Sequence, residues 1–120
     1  MNVKEHTAYK KARELSTIVW QISRKWDRDI LNTVGNQLIR ATDSISANLA
    51  EGWSRYSKKD KINFFIIARG SVAEVADWME KAYERNLVSL SGYNNAQKIL
   101  TSLPKEINGL IKGTQMNLKK

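Results

Sequence analysis

The strongest constraint on this chain is the spacing of its apolar residues, which recur every three or four positions along nearly its whole length. Ala8, Ala12, Leu15, Val19, Ile22 and Trp26 follow one another at that spacing. On a helix they form a single stripe, whereas a half-buried strand would alternate every second residue. The pattern predicts a first helix over residues 4–25. A second, over 30–53, carries Leu31, Val34, Leu38, Ile45, Leu49 and Gly52, with Ala41 beside them. A third, over 57–85, is built on Phe65, Val72, Ala76, Met79 and Tyr83. Ser57 stands where an N-cap should, with Asp60 three residues on. A fourth runs over 91–113 and contains Pro104, the one proline in the chain. Proline removes a backbone donor and crowds the preceding turn, so a kink or a break into two shorter helices is expected there. The stretch Trp53 to Tyr56 reads as a turn, and residues 116–120 as a frayed tail.

Four amphipathic helices with short connections predict an all-α, antiparallel, up-down-up-down four-helix bundle. Its 120 residues make one domain, 1–120, with no repeat or linker to divide it. Leu15, Val19, Leu38, Ile45, Leu49, Phe65, Val72, Met79 and Leu100 are the expected core. The longest strictly apolar run, Phe64 to Ala68, is far too short to span a membrane. The first residues lack the apolar stretch of a secretion signal, so a cytoplasmic location is the expectation.

The chemistry of catalysis lacks its parts. There is no cysteine, and His6 is the one histidine. Zinc sites, di-iron sites with Glu-x-x-His pairs, and nucleophiles activated by histidine all need more than that. No glycine-rich phosphate loop occurs. A carboxylate pair such as Glu51 with Asp43 or Glu74 is conceivable, but helix carboxylates are usually solvated or ion-paired. The expectation is a protein without enzymatic activity, cofactor or metal.

Charge points to a class of partner. Lysine and arginine number 20 against 12 aspartate and glutamate, a net charge of +8. Such an excess favours polyanions, whether nucleic acid or an acidic protein surface. In an up-down-up-down bundle the chain start, the helix 2–3 turn and the chain end share one pole. That pole gathers Lys4, Arg55, Lys58, Lys59, Lys61 and Lys112, with Lys119 and Lys120 beyond them. Trp53 and Tyr56 flank the basic turn. They either stack on an unpaired base or pack beneath the turn.

Several apolar or small residues fall outside the four stripes. The start of helix 3 is apolar nearly all round, including Ile66 and Ile67. Trp20 sits about 140° from the middle of its stripe, at 100° per residue, and Trp78 is also displaced. The back of helix 2 carries Ser44, Ala47 and Ala50, which are either good surface helix formers or a site of close helix approach. Trp20, Ser44, Ala47, Ile66, Ile67 and Trp78 are therefore the expected contacts of a self-association surface.

The segment Arg40-Ala41, followed by Ser44-Ile45-Ser46-Ala47-Asn48-Leu49-Ala50-Glu51-Gly52, then Ser57-Lys58-Lys59 and Gly70-Ser71-Val72-Ala73-Glu74, resembles a bacterial four-helix bundle family. Its members are known as 23S rRNA-intervening sequence proteins or S23 ribosomal proteins. Arg40, Asn48, Glu51 and Gly52 are the motif positions. The sequence departs from the family pattern at Ser46, often a proline, and at Asp27-Arg28-Asp29, where a Pro-x-x-Glu stretch is common. The family also looks related to the accessory variability proteins of diversity-generating retroelements. The resemblance implies a basic bundle assembled as a homopentamer. Through the retroelement relatives, it also implies binding to nucleic acid and to a reverse transcriptase. The alternative is a protein–protein scaffold whose charge serves an acidic partner.

Overall fold

In a computed structural model that describes residues 2–116, each apolar stripe turns inward on a long helix. The four helices are α1 (Thr7–Ser23), α2 (Asn36–Ser54), α3 (Lys58–Glu84) and α4 (Leu90–Met116). A 3-10 turn, Val3–Glu5, precedes α1. Each helix packs on its neighbours in the chain, and α1 and α4 close the ring. The result is the antiparallel four-helix bundle, 50 × 23 × 20 Å. All nine expected core residues are buried, and Ala8, Ala12, Ala68, Val75, Leu103 and Ile107 join them.

The helix ends follow from local chemistry. The Ser57 hydroxyl accepts from the Asp60 backbone N–H at 3.1 Å and caps α3 as expected. At its other end Asn86 adopts a left-handed conformation, φ 61°. Leu87 N–H then reaches the Ala82 carbonyl at 2.8 Å and Asn86 N–H the Tyr83 carbonyl at 3.0 Å. This is the paired closure of a Schellman motif, with asparagine in place of glycine. The Trp26 indole N–H donates to the Leu87 carbonyl at 2.8 Å, tying the α1 end to the α3–α4 connection.

Several local expectations are corrected. Pro104 neither breaks nor divides α4, which runs unbroken from Leu90 to Met116. Asp27, which falls between the first two predicted helices, is a helix cap. Its carboxylate accepts from Ile30 N–H at 3.1 Å and starts the short helical turn Arg28–Ile30. That turn passes through a π-helical turn, Leu31–Gly35, directly into α2. Trp53 and Ser54 are the last turn of α2 rather than a loop. Tyr83 lies at the edge of the core, partly exposed and stacked on Tyr93 at 4.6 Å between ring centres.

The helices α2 and α3 approach closely at Gly52. A Cβ placed there would stand 2.7 Å from Phe65 Cε1 and 3.0 Å from Phe64 Cβ. The phenylalanine ring thus lies directly on the α2 backbone. Farther along the same seam the Ser44 hydroxyl donates to the Ser71 hydroxyl at 2.7 Å. By contrast, a Cβ at Gly70 meets nothing within 4 Å. The His6 ring caps α1, with Nδ1 accepting from Ala8 N–H at 3.1 Å, and packs 5.5 Å from the Trp53 ring. Burial lowers the His6 pKa from its ordinary value, opposed in part by the charge of Glu106.

Three stability outcomes follow. Ile45→Ala should cost about 2–5 kcal/mol, read by denaturant unfolding. Gly52→Ala should cost about 1–3 kcal/mol through overpacking, whereas Gly70→Ala should stabilise by up to about 1 kcal/mol through helix propensity. A stable Gly52→Ala protein would contradict the close approach. The His6 cap needs an unprotonated Nδ1, and its folded pKa is depressed. As pH falls, the unfolded chain therefore binds the proton first. The cap's contribution is complete above the ordinary histidine pKa of about 6.5 and is lost as pH drops through that value toward the folded one. Melting curves at pH 7.5 and 5.5 should show a larger loss for the parent than for His6→Asn, which caps without titrating.

Candidate polyanion-binding surface

The antiparallel order brings the start of α1, the α2–α3 turn and the end of α4 to one pole, as His6 against Trp53 and Lys58 near Gln115 record. Lys4, Arg55, Lys58, Lys59, Lys61 and Lys112 all belong to this end of the bundle. Lys119 and Lys120 lie outside the described residues. Of the acids near the pole, Asp60 beside Lys59 has no side-chain partner among the described residues, and three others are engaged. Glu51 binds Arg55 at 2.8 Å, Glu106 binds Lys11 at 3.3 Å, and the Glu5 carboxylate accepts from Asn2 N–H. The opposite pole is balanced: Arg24, Lys25, Arg28, Lys81 and Arg85 are matched one for one by Asp27, Asp29, Asp77, Glu80 and Glu84. The positive excess is therefore concentrated away from that end.

The six basic residues are not equivalent. Lys4, Lys59 and Lys112 are exposed, and their ammonium groups make no hydrogen bond or ion pair among the described residues. Arg55 is held by Glu51 and lies over the Phe64 ring at 4.7 Å. Lys61 donates to the Trp53 carbonyl at 2.9 Å, capping the end of α2. Lys58 reaches the Gln115 carbonyl at 3.5 Å. Arg55 and Lys61 thus serve the turn itself. Trp53 packs against the core and His6, so its ring is not a free stacking platform. Tyr56, 97% exposed, is the aromatic that remains open at the pole.

A second basic feature was not singled out in the sequence. Lys98, Lys105 and Lys112 recur every seven residues along α4 and all are exposed. They form one ridge on the outer face of that helix, running into the basic pole. The only acid on α4 is Glu106, already paired with Lys11.

The expected association residues separate onto different surfaces. Trp20 is 54% exposed and lines a groove of about 490 Å³ between α1 and α2, with Arg13, Arg24 and Asp43. Ile66 and Ile67, 44% and 51% exposed, stand on the outer face of α3. Ala47 is exposed on α2. Ser44 does not belong to an outward back: its hydroxyl bonds Ser71 within the α2–α3 seam. Trp78 packs against the core from the side, with the Lys81 ammonium 4.7 Å over its ring. Of the motif residues, Gly52 admits Phe65 and Glu51 holds Arg55. The Asn48 amide donates to the Ser44 carbonyl at 2.8 Å, and Arg40 is exposed. Among the described residues no cluster of potential ligands could hold a metal ion. No described helix is long and apolar enough to cross a membrane.

Comparison with known proteins agrees with this architecture. No curated protein matches the chain. Among solved structures, a protein of unknown function from the S23 ribosomal protein family of Bacteroides thetaiotaomicron superposes with a TM-score of 0.78 at 22% identity. The match covers 88% of this chain and 99% of that one, and at this identity it bears on the fold alone. Residues 4–109 match the profile described as 23S rRNA-intervening sequence protein. Neither description names a catalytic activity. With the helix order, the Gly52 contact and nearly the full length accounted for, the chain belongs to the 23S rRNA-intervening sequence protein family.

Proposed function

We propose that this chain is a non-catalytic bundle that self-associates and binds nucleic acid by its phosphate backbone. The observation that carries the reading is the distribution of charge. One pole and the adjoining α4 ridge carry more exposed lysines than acids, with Glu51 and Glu106 already paired, while the other pole is balanced. Lysines on a helical ridge offer ammonium groups to phosphates without reading base edges, so binding is weakly sequence-specific and steeply salt-dependent. Exposed Trp20, Ile66 and Ile67 support association of copies. The family resemblance supplies the number five, and the likeness to retroelement accessory proteins supplies an accessory role beside a nucleic-acid enzyme such as a reverse transcriptase. Repetition of the pole around an assembly adds avidity without new contacts.

The test is titration of a short RNA and a short DNA at several salt concentrations. It uses the parent and a combined Lys59→Ala, Lys105→Ala, Lys112→Ala variant. The ammonium groups of these lysines make no hydrogen bond or ion pair among the described residues, so the variant should fold and assemble as the parent does. Each phosphate contact removed should flatten the log–log salt slope by roughly 0.7–0.9. An unchanged slope and affinity would place binding elsewhere. A parent that binds neither nucleic acid at low salt would leave the scaffold reading, with an acidic protein as partner.

A further inference from the structure

Two surfaces of the bundle are incomplete in a single chain. The first is the α1–α2 groove. Trp20 lies open in it, and Arg13 and Arg24 line it without an acidic partner among the described residues. The Ser16 hydroxyl, also lining it, is buried with no hydrogen-bond partner among them. Native structures rarely leave such a group unpaired.

The second surface is the outer face of α3. Ile66 and Ile67 are exposed there, and Gly70 follows one turn later. A mid-helix glycine weakens its helix, and among the described residues nothing approaches Gly70 closely enough to require one. Its absent side chain leaves a flat place where another body can approach the backbone. Beyond it α3 carries Glu74, Asp77, Glu80 and Glu84 against a single lysine, Lys81, which is paired with Asp77. One surface is thus aromatic with two arginines against the one carboxylate of Asp43, the other aliphatic and acidic.

We propose that these surfaces belong to each other across copies: the outer face of α3 in one copy seats in the α1–α2 groove of the next. The inference rests on the self-association read above and adds which faces meet. Charge complementarity favours a second copy as the occupant, and the heights agree. Ser44 and Ser71 are level, because they are hydrogen-bonded. Asp43 and Ser46 share the groove with Ser16, Thr17 and Trp20. The groove that Trp20 lines therefore spans the level of Gly70. Rotation about an axis parallel to the bundle keeps that level. It brings α1 and α3 together in parallel, with the indole beside Gly70 and Arg24 beside Glu74 and Asp77. Because the two faces differ, the contact is head-to-tail, and every copy offers one of each.

The test uses Trp20→Glu, which spoils the groove, and Gly70→Leu, which spoils the α3 face. Mass is measured by light scattering at micromolar concentration. Each variant alone should fall to the 13.7 kDa monomer, with helical circular dichroism retained. The melting midpoint of Gly70→Leu, compared with monomeric Trp20→Glu, should be no lower. Mixed one to one, the variants should form a dimer and nothing larger, since one intact groove meets one intact face. A mixture that stays monomeric overturns the pairing. So does a variant that keeps the parent's mass, including Trp20→Glu that stays assembled but loses RNA binding, which would give the groove to nucleic acid. A monomeric parent overturns the self-association reading as well, whereas an oligomeric parent indifferent to both substitutions overturns only the pairing.

Discussion

The contact of Phe65 with the backbone at Gly52 fixes how α2 and α3 lie on one another. With no Cβ at Gly52, the aromatic ring sits where a side chain would otherwise stand, and the two helices close on their shared stripe. Ser44 and Ser71 then hold the same seam two turns away. Together these contacts set the relative height of the helices, and the short turn that carries Arg55 and the neighbouring lysines follows from that height. The connection is so short that capping it occupies Ser57, Lys61 and Arg55. A substitution that parted α2 from α3 would disturb the pole before it disturbed the distant end of the molecule.

Much of this fold is legible in the sequence because burial imposes a period. Leu15, Val19, Leu38, Ile45, Leu49, Phe65, Val72 and Met79 could be assigned to the core from spacing alone, and each is buried. What escapes the period escapes the reading. The π-helical turn at Leu31–Gly35 has no compositional mark. Pro104 obeys a rule of local cost that tertiary packing overrides, with Leu103 and Ile107 buried on either side of it. Ser44 was assigned outward from a helical wheel. Its neighbour proved to be Ser71, which no one-helix projection can reveal.

The candidate site was legible in outline and less so in detail. Topology alone gathers the pole, so its basic residues could be listed before any coordinates. It cannot say which of them are already committed. Arg55 and Lys61 are spent on an ion pair and a helix end, whereas Lys59 and Lys112 remain for solvent or a ligand. The α4 ridge shows the complementary omission. Lysines seven apart are as periodic as the core stripe, but they report a surface that needs no internal partner.

The closed ring of helices has a consequence for how the chain reaches this state. Three of its four helix–helix seams join segments adjacent in sequence, and only α1 against α4 brings distant parts together. Loop closure is therefore inexpensive for most of the core, and helical topologies of this kind fold on microsecond to millisecond timescales. The hairpin of α2 and α3 has the shortest connection, so its contacts cost the least loop closure. The closure of α1 on α4 joins the segments farthest apart in sequence and carries the largest loop-closure cost. A bundle that completes itself quickly spends little time with its four stripes exposed, which suits a protein whose finished surface still presents tryptophan and isoleucine to solvent.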